Sequence, residues 1–211
     1  MQRRLPAAVA AVMLASAPGC TRGADAGDVA AFVRLFDGYS AEYDNVDEPI
    51  RLARMSAVVV RGSIDAVRPG PVYPQFPGDP QGARSVVLAV RVRAVLHGTL
   101  PDPGHRSVYV QLPAPGGTAA EVFDRHAPKE ATVVLYLVPS REGGALVTNP
   151  DAGRPAGQRL VEPTTPQGFV VEAPGGVVEP TGHRTFPAAA IDAFVPSAAV
   201  FPSPAPAEHH P

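Results

Sequence analysis

The segment from Ser85 to Leu96 alternates apolar and polar residues more clearly than any other part of the chain. Four apolar residues share one face of this predicted strand: Leu88, Val90, Val92 and Ala94. Arg91 and Arg93 fall on the opposite face. This pattern is typical of an antiparallel sheet that has one face against a core and the other in water. We therefore expect the chain to fold mainly as β structure.

Further strands are predicted where short apolar segments alternate with proline- and glycine-rich turns. They cover residues 57–67, 106–112, 131–138, 145–148, 168–172 and 177–179. Gly62 lies inside the first of them and indicates a bulge or a tight bend. Residues 69–83 are rich in proline and glycine and are predicted to form a long loop.

Two helices are predicted before the first strand. The first has an apolar stripe at i, i+3, i+4 and i+7 and ends near Gly38. That stripe consists of Val29, Phe32, Val33 and Phe36. The second begins near residues 47–49, where acidic residues and Pro49 suit a first helical turn. Three of its residues are expected to face inward: Ile50, Ala53 and Met55.

A third short helix is predicted to follow the third strand and to end near Arg125. Thr118 and Glu121 have the spacing of a capping box at its start. The order of three strands, a short helix and further strands favours a small antiparallel OB-like barrel, with a β-sandwich as the alternative. The barrel is expected to span 57–195, with a helical segment at 28–56 before it. Residues 186–194 are expected to form one or two helical turns.

Both ends of the chain differ in composition from this domain. Residues 196–211 are rich in proline and alanine and are predicted to be a disordered tail. Residues 1–19 contain two arginines and then an apolar run of about 11 residues, which is too short to span a membrane. They precede Cys20, which is the only cysteine.

The leader resembles the signal sequence of a bacterial lipoprotein. The resemblance implies that Cys20 is lipidated and becomes the new N-terminus, with residues 20–27 as a tether. The protein would then be held at the extracytoplasmic face of the cell membrane through its lipid. Cleavage by ordinary signal peptidase after Ala17 is the alternative, because residues 15–17 form a small-x-small site.

A second resemblance covers roughly residues 48–180. The segments SAVVVRGSIDAV, VVLAVRVRAVLHG, VYVQLP, ATVVLYLVP and TTPQGFVVEAPGGVVEP are similar to a group of exported bacterial proteins of unknown function, common in actinobacteria. The VLHG end of the second strand also resembles OB-fold proteins related to metalloproteinase inhibitors. Those inhibitors chelate zinc with a free N-terminal cysteine inside a disulfide framework, whereas this chain has one cysteine, expected to be lipidated.

The residues give no pattern of a catalytic or metal site, so no catalytic residue and no cofactor are predicted. The six histidines lack the helical spacing of zinc ligands. Gly116 and Gly117 are interpreted as a turn before a helix rather than as an anion site. Asp44, Asp47 and Glu48 lack the spacing of a calcium loop.

One polar and aromatic patch, at residues 164–169, is a candidate ligand groove, with Gln167 and Phe169 as its residues. The net charge of −2 and the lack of a basic cluster argue against nucleic acid as a partner. The leading hypothesis is a non-catalytic binding or accessory module whose partner is an envelope protein or a glycan. The alternatives are an envelope enzyme or inhibitor, and a module that binds cell-wall glycan.

Overall fold

The structure is a computed structural model that describes residues 26–46, 48–79, 82–140 and 146–197. Cys20 and the expected signal sequence lie outside these ranges, as does most of the expected tail. Within the described ranges, no helix is long and apolar enough to cross a membrane.

The chain is mainly β, as the sequence predicts. Within the described ranges, the α-helices are α1 (Ala26–Arg34), α2 (Pro49–Met55) and α3 (Ala120–His126). The strands are β1 (Val58–Tyr73), β2 (Ala83–Gly98), β3 (Ser107–Pro113), β4 (Val133–Pro139), β5 (Leu160–Pro163), β6 (Phe169–Ala173), β7 (Gly176–Glu179) and β8 (Arg184–Pro187). Three short 3₁₀ turns lie at Pro115–Gly117, Pro166–Gly168 and Ile191–Phe194.

The strands form one sheet in the order β1-β2-β3-β5-β4-β6-β7-β8. Because β1 also pairs with β4, the first five strands close into a ring. Helix α3 joins β3 to β4. The prediction of an antiparallel sheet is correct for every strand pair except β3 and β5, which run parallel. The sheet is therefore mixed.

Strands β1 and β4 are buried on both faces. Val58 and Val60 belong to the main core, whereas Val59 between them belongs to a second apolar cluster. The same division places Leu135 in the main core and Tyr136 in the second cluster. Strands covered on both faces have continuous apolar runs. This explains why the sequence there reads as runs of valine and leucine instead of alternating.

Strand β2 departs in part from its predicted alternation. Val87 and Ala89 lie on the same face as Arg91, which the alternation predicts to be in water, but they are buried in a third cluster with Tyr109 and Leu160. The prediction that Ala94 faces the core is wrong, because Ala94 is exposed.

The predicted loop at 69–83 is wrong, because β1 continues to Tyr73 and only nine residues separate it from β2. Pro69 and Pro71 are accommodated because the register shifts between Pro69 and Val72, so the strand does not need their missing N–H groups. The bulge predicted at Gly62 is confirmed by a register shift. A Cβ atom at Gly62 would come within 2.2 Å of the carbonyl oxygen of Arg91.

The apolar stripe of α1 is confirmed: Val29, Phe32 and Phe36 are buried, and Val33 packs against them. Gly38 has φ +88° after the helix, consistent with a stop. In α2 the prediction for Met55 is wrong. It is 53% exposed, and Leu52 is buried with Ala53 instead.

Three other local predictions differ from the structure. Thr118 caps no helix, because its hydroxyl donates to the carbonyl oxygen of Pro115 and the α3 N-cap is Ala119. Strand β8 occupies part of the segment predicted to be helical at 186–194, leaving one 3₁₀ turn. Of the predicted strand at 145–148, Thr148 forms a single bridge with Val72, and residue 145 lies outside the described residues.

Candidate functional site

A groove opens beside the ends of β3 and β5, the two parallel strands. Its cavity is about 360 Å³. It is lined by Tyr39, Tyr73, Ala83, Arg84, Ser85, Gln111, Leu112, Pro113, Glu162, Pro163, Thr164, Thr165, Pro166 and Thr181. A wider hollow of about 750 Å³ adjoins it and shares Tyr39, Ala83, Arg84 and Pro113. We call the 360 Å³ cavity the β3–β5 groove.

Hydrogen bonds fix the polar side chains in the floor of the β3–β5 groove. The hydroxyl of Tyr73 donates to Oε1 of Gln111 at 2.8 Å. The Oγ atom of Ser140 lies 3.1 Å from the same Oε1 and 3.3 Å from Oε2 of Glu162. Groups from β1, β3 and β5 are therefore held together before any ligand arrives, which lowers the entropic cost of binding.

Tyr39 forms one wall of the groove as a neutral phenol. Burial, then the negative charge of Glu162 and the neighbouring Tyr43, raise the pKa of Tyr39 above its usual value. Its backbone is also anchored, since Nε2 of His183 lies 2.8 Å from its carbonyl oxygen. An uncharged phenol offers an aromatic face and a hydroxyl for hydrogen bonding.

Thr165 also lines the groove. Its Oγ1 is buried and has no hydrogen-bond partner within the described ranges. Arg84 is exposed and adds a positive charge at the rim. The β3–β5 groove thus combines hydroxyl, amide and aromatic groups with one acidic and one basic side chain.

The two residues predicted to line a groove lie elsewhere. The prediction for Phe169 is wrong, because it is fully buried in the main core. Gln167 is 2% exposed. Its Oε1 accepts from the backbone N–H of Val46 at 2.8 Å, and its Nε2 donates to Oδ1 of Asn45 at 2.6 Å. The neighbouring Thr164, Thr165 and Pro166 do line the β3–β5 groove.

Gln167 instead lines a second, smaller cavity of about 180 Å³. Its lining is Val46, Pro49, Leu52, Tyr136, Gln167, Val170, Glu179, Arg184, Phe186, Ala193 and Phe194. Glu179 is only 4% exposed. Burial raises the pKa of Glu179 to about 7, and the nearby positive charge of Arg184 opposes that rise. We call this space the Glu179 cavity.

The strand pattern at residues 177–179 points to Glu179. Val177 and Glu179 are two residues apart in β7 and therefore share a face. Since Val177 is fully buried, that face also buries Glu179. An acidic residue at an inward strand position is a signal for a special site.

The other candidate groups are dispersed. Gly116 and Gly117 belong to a 3₁₀ turn, as their interpretation as a turn predicts, and His126 lies in the last turn of α3. In the part of the chain that the structure describes, no three His, Cys, Asp or Glu residues lie together in a way that would hold a metal ion. Asp47, His209 and His210 lie outside it.

Comparison with known proteins adds no relative. No family model, no curated protein and no solved structure matches the chain.

Proposed function

We propose that this chain is a lipoprotein held at the extracytoplasmic face of the membrane, and that its domain is an OB-type barrel that binds a glycan without catalysis. Two features of the sheet support the OB assignment. The first five strands close a ring in the order β1-β2-β3-β5-β4, and a helix joins β3 to β4. OB barrels are five-stranded and bind oligosaccharides with the face of strands 2 and 3 and the adjoining loops.

The observation that carries the glycan assignment is the β3–β5 groove. It lies where β2 begins and β3 ends, beside Tyr73 and Ala83 at the two ends of the β1–β2 loop. A sugar ring presents hydroxyl groups at its edge and apolar C–H groups on its faces. The groove offers hydroxyl and amide partners for the former and tyrosine rings for the latter.

The charges in the groove favour a ligand with little net charge. Arg84 and Glu162 both line it, so their charges oppose each other. The chain as a whole carries a net charge of −2. An electrostatically driven polyanion such as a nucleic acid would instead need a cluster of basic groups.

Tyr73→Ala is expected to weaken binding to purified cell-wall glycan by about tenfold, since truncating one well-placed aromatic contact typically costs more than 1 kcal/mol. Arg84→Gln, at the rim, is expected to weaken it about threefold. The measurement is sedimentation of the purified full-length protein with increasing amounts of insoluble glycan.

Arg93→Gln is the matched control for Arg84→Gln, because both arginines are exposed on β2 but only Arg84 lines the groove. It should bind as wild type does. Equal binding by wild type and Tyr73→Ala, or no binding by wild type, would contradict the glycan assignment. Retention by envelope protein after glycan digestion would favour a protein partner.

Cys20→Ala is expected to abolish incorporation of a labelled fatty acid and to release the protein from membranes. The reason is that Cys20 is the only cysteine, and acyl chains on it would supply the stable attachment. The measurement is metabolic lipid labelling of the native host, followed by separation of membrane and soluble fractions.

Ser16→Ala is a control in the same leader that leaves the cysteine intact, and it should label as wild type does. Equal labelling of wild type and Cys20→Ala, or no labelling of either, would rule out the lipid anchor. Cleavage at Ala17 in both proteins would then support ordinary secretion.

A further inference from the structure

The Glu179 cavity is separate from the β3–β5 groove, and none of its lining residues is shared with the groove. Its walls are mainly apolar. They include aliphatic side chains and two phenylalanines whose rings contact edge to face at 4.9 Å between centroids, Phe186 and Phe194. Such a mainly apolar space with a few polar groups has the composition of a small-molecule site.

Most polar groups around this cavity are already paired. The hydroxyl of Tyr136 donates to the carbonyl oxygen of Phe194. Gln167 is held by the hydrogen bonds to residues 45 and 46. Arg184 donates from Nη1 to Oδ1 of Asn45 at 2.7 Å and lies 4.8 Å above the ring of Phe186. These contacts hold the walls of the cavity in place.

Glu179 is the exception. Its Oε2 is buried and has no hydrogen-bond partner among residues that the structure describes. The nearest cation is Nε of Arg184 at 3.7 Å, too far for a hydrogen bond. A buried carboxyl oxygen without a donor is costly, and buried polar atoms are normally satisfied by protein, water or ligand. Because Glu179 lines the cavity, a ligand there can donate to its carboxyl group.

We propose that the Glu179 cavity binds a small neutral molecule with a flat apolar body and one hydroxyl, as in a phenol, whose hydroxyl donates to Glu179. The volume suits this class, since an apolar cavity of about 150 Å³ holds one benzene ring. The opposite charges of Glu179 and Arg184 favour a neutral molecule over an ion. The phenylalanine rings suit a flat body.

Phenol and toluene separate this site from a plain apolar hole, because they have nearly the same shape and differ in the hydroxyl. Toluene loses less hydration, so a cavity without a polar partner would prefer it. We expect phenol to bind at least about ten times more tightly than toluene, because a site that hydrogen-bonds a hydroxyl discriminates against an analogue without it. Titrations of the full-length protein at pH 8, followed by amide chemical shifts, measure both affinities.

Variants locate the site. Glu179→Leu is expected to remove the preference for phenol, so that toluene binds as well or better. Ala193→Phe adds a ring at the exposed rim of the cavity and is expected to weaken the binding of both molecules. Ala190→Phe is its control, since Ala190 is an exposed neighbour that does not line the cavity. It should bind phenol as wild type does.

Titrations of the wild-type protein alone test whether the cavity prefers phenol to toluene. Equal or tighter binding of toluene, or no binding of either molecule, overturns the proposal even where a variant fails to fold. Phenol binding of unchanged affinity in folded Ala193→Phe overturns the location. Chemical-shift changes confined to residues near Gln167, Glu179 and Phe186, with a clear preference for phenol, support it.

Discussion

Replacing Phe32 with alanine is expected to lower the free energy of unfolding by about 3 to 5 kcal/mol. Phe32 is fully buried, and its ring lies 5.4 Å from that of Phe36, 6.3 Å from Phe123 and 6.2 Å from Phe169, all edge to face. The substitution leaves a cavity at the point where α1, α3 and β6 meet. Urea unfolding of wild type and variant measures the loss.

Phe76→Ala is the matched control, because it removes the same side chain from a position that is 57% exposed. Its effect should stay within about 0.5 kcal/mol. A loss below about 1 kcal/mol for Phe32→Ala would mean that α1 is not packed on the β domain. The same result would remove the reason for treating α1 as part of the domain.

The sequence predicts α1 well because its information is local. Four apolar residues at helical spacing form one apolar side of the helix. That side must be buried, whichever element of the fold covers it. Strand β3 was predicted for the same reason, since alternating valines specify a single inward face. Neither prediction required knowledge of the partner element. Where one local apolar pattern matches one buried face, the sequence alone is sufficient to predict the element.

Strands β5 and β8 are not predicted because each has only four residues, too few to show an alternating pattern. Their backbones become strands by pairing with β3 and β4, or with β7. For β5 the pairing is set by distant parts of the chain and leaves no local pattern, whereas β8 forms a hairpin with the nearby β7. The overlooked continuation of β1 through Pro69 has the same cause, since a register shift in the pairing accommodates the proline.

The β3–β5 groove was not predictable for a related reason. Tyr73, Gln111 and Glu162 lie on three different strands and are far apart in sequence. The pairing of β1 with β2, of β2 with β3 and of β3 with β5 brings them together. The sequence identified the neighbouring segment at 164–169, but its most conspicuous residue, Phe169, was taken into the core because an apolar ring gains more from burial than from lining a wet groove.

Glu179→Gln is expected to stabilise the protein by about 2 to 3 kcal/mol at pH 8 and to change little at pH 4. The pKa of Glu179 is raised from 4.5 to about 7 by burial. The folded state therefore keeps the proton to a higher pH than the unfolded state. Its contribution to stability is complete below pH 4.5 and is lost as the pH rises to 7, at about 1.4 kcal/mol per pH unit.

Glutamine has the same shape as glutamate and carries no charge. The variant is therefore not expected to lose stability as the pH rises. Arg184 loses its ion pair with Glu179 but retains Asn45 and Phe186 as partners. The measurement is urea unfolding of both proteins at several pH values between 4 and 8. The wild-type free energy of unfolding should fall relative to that of the variant as the pH rises.

Glu172→Gln makes the same substitution at an exposed position on β6. Its free energy of unfolding should follow that of wild type between pH 4 and 8. Parallel curves for wild type and Glu179→Gln would mean that Glu179 reaches water or a donor in solution. A buried carboxyl group that destabilises the folded state at neutral pH would not be kept for the sake of stability alone. Its presence here, with one oxygen lacking a donor, fits a position retained for binding. The pH curves and the phenol titrations therefore test the carboxyl group of Glu179 in independent ways.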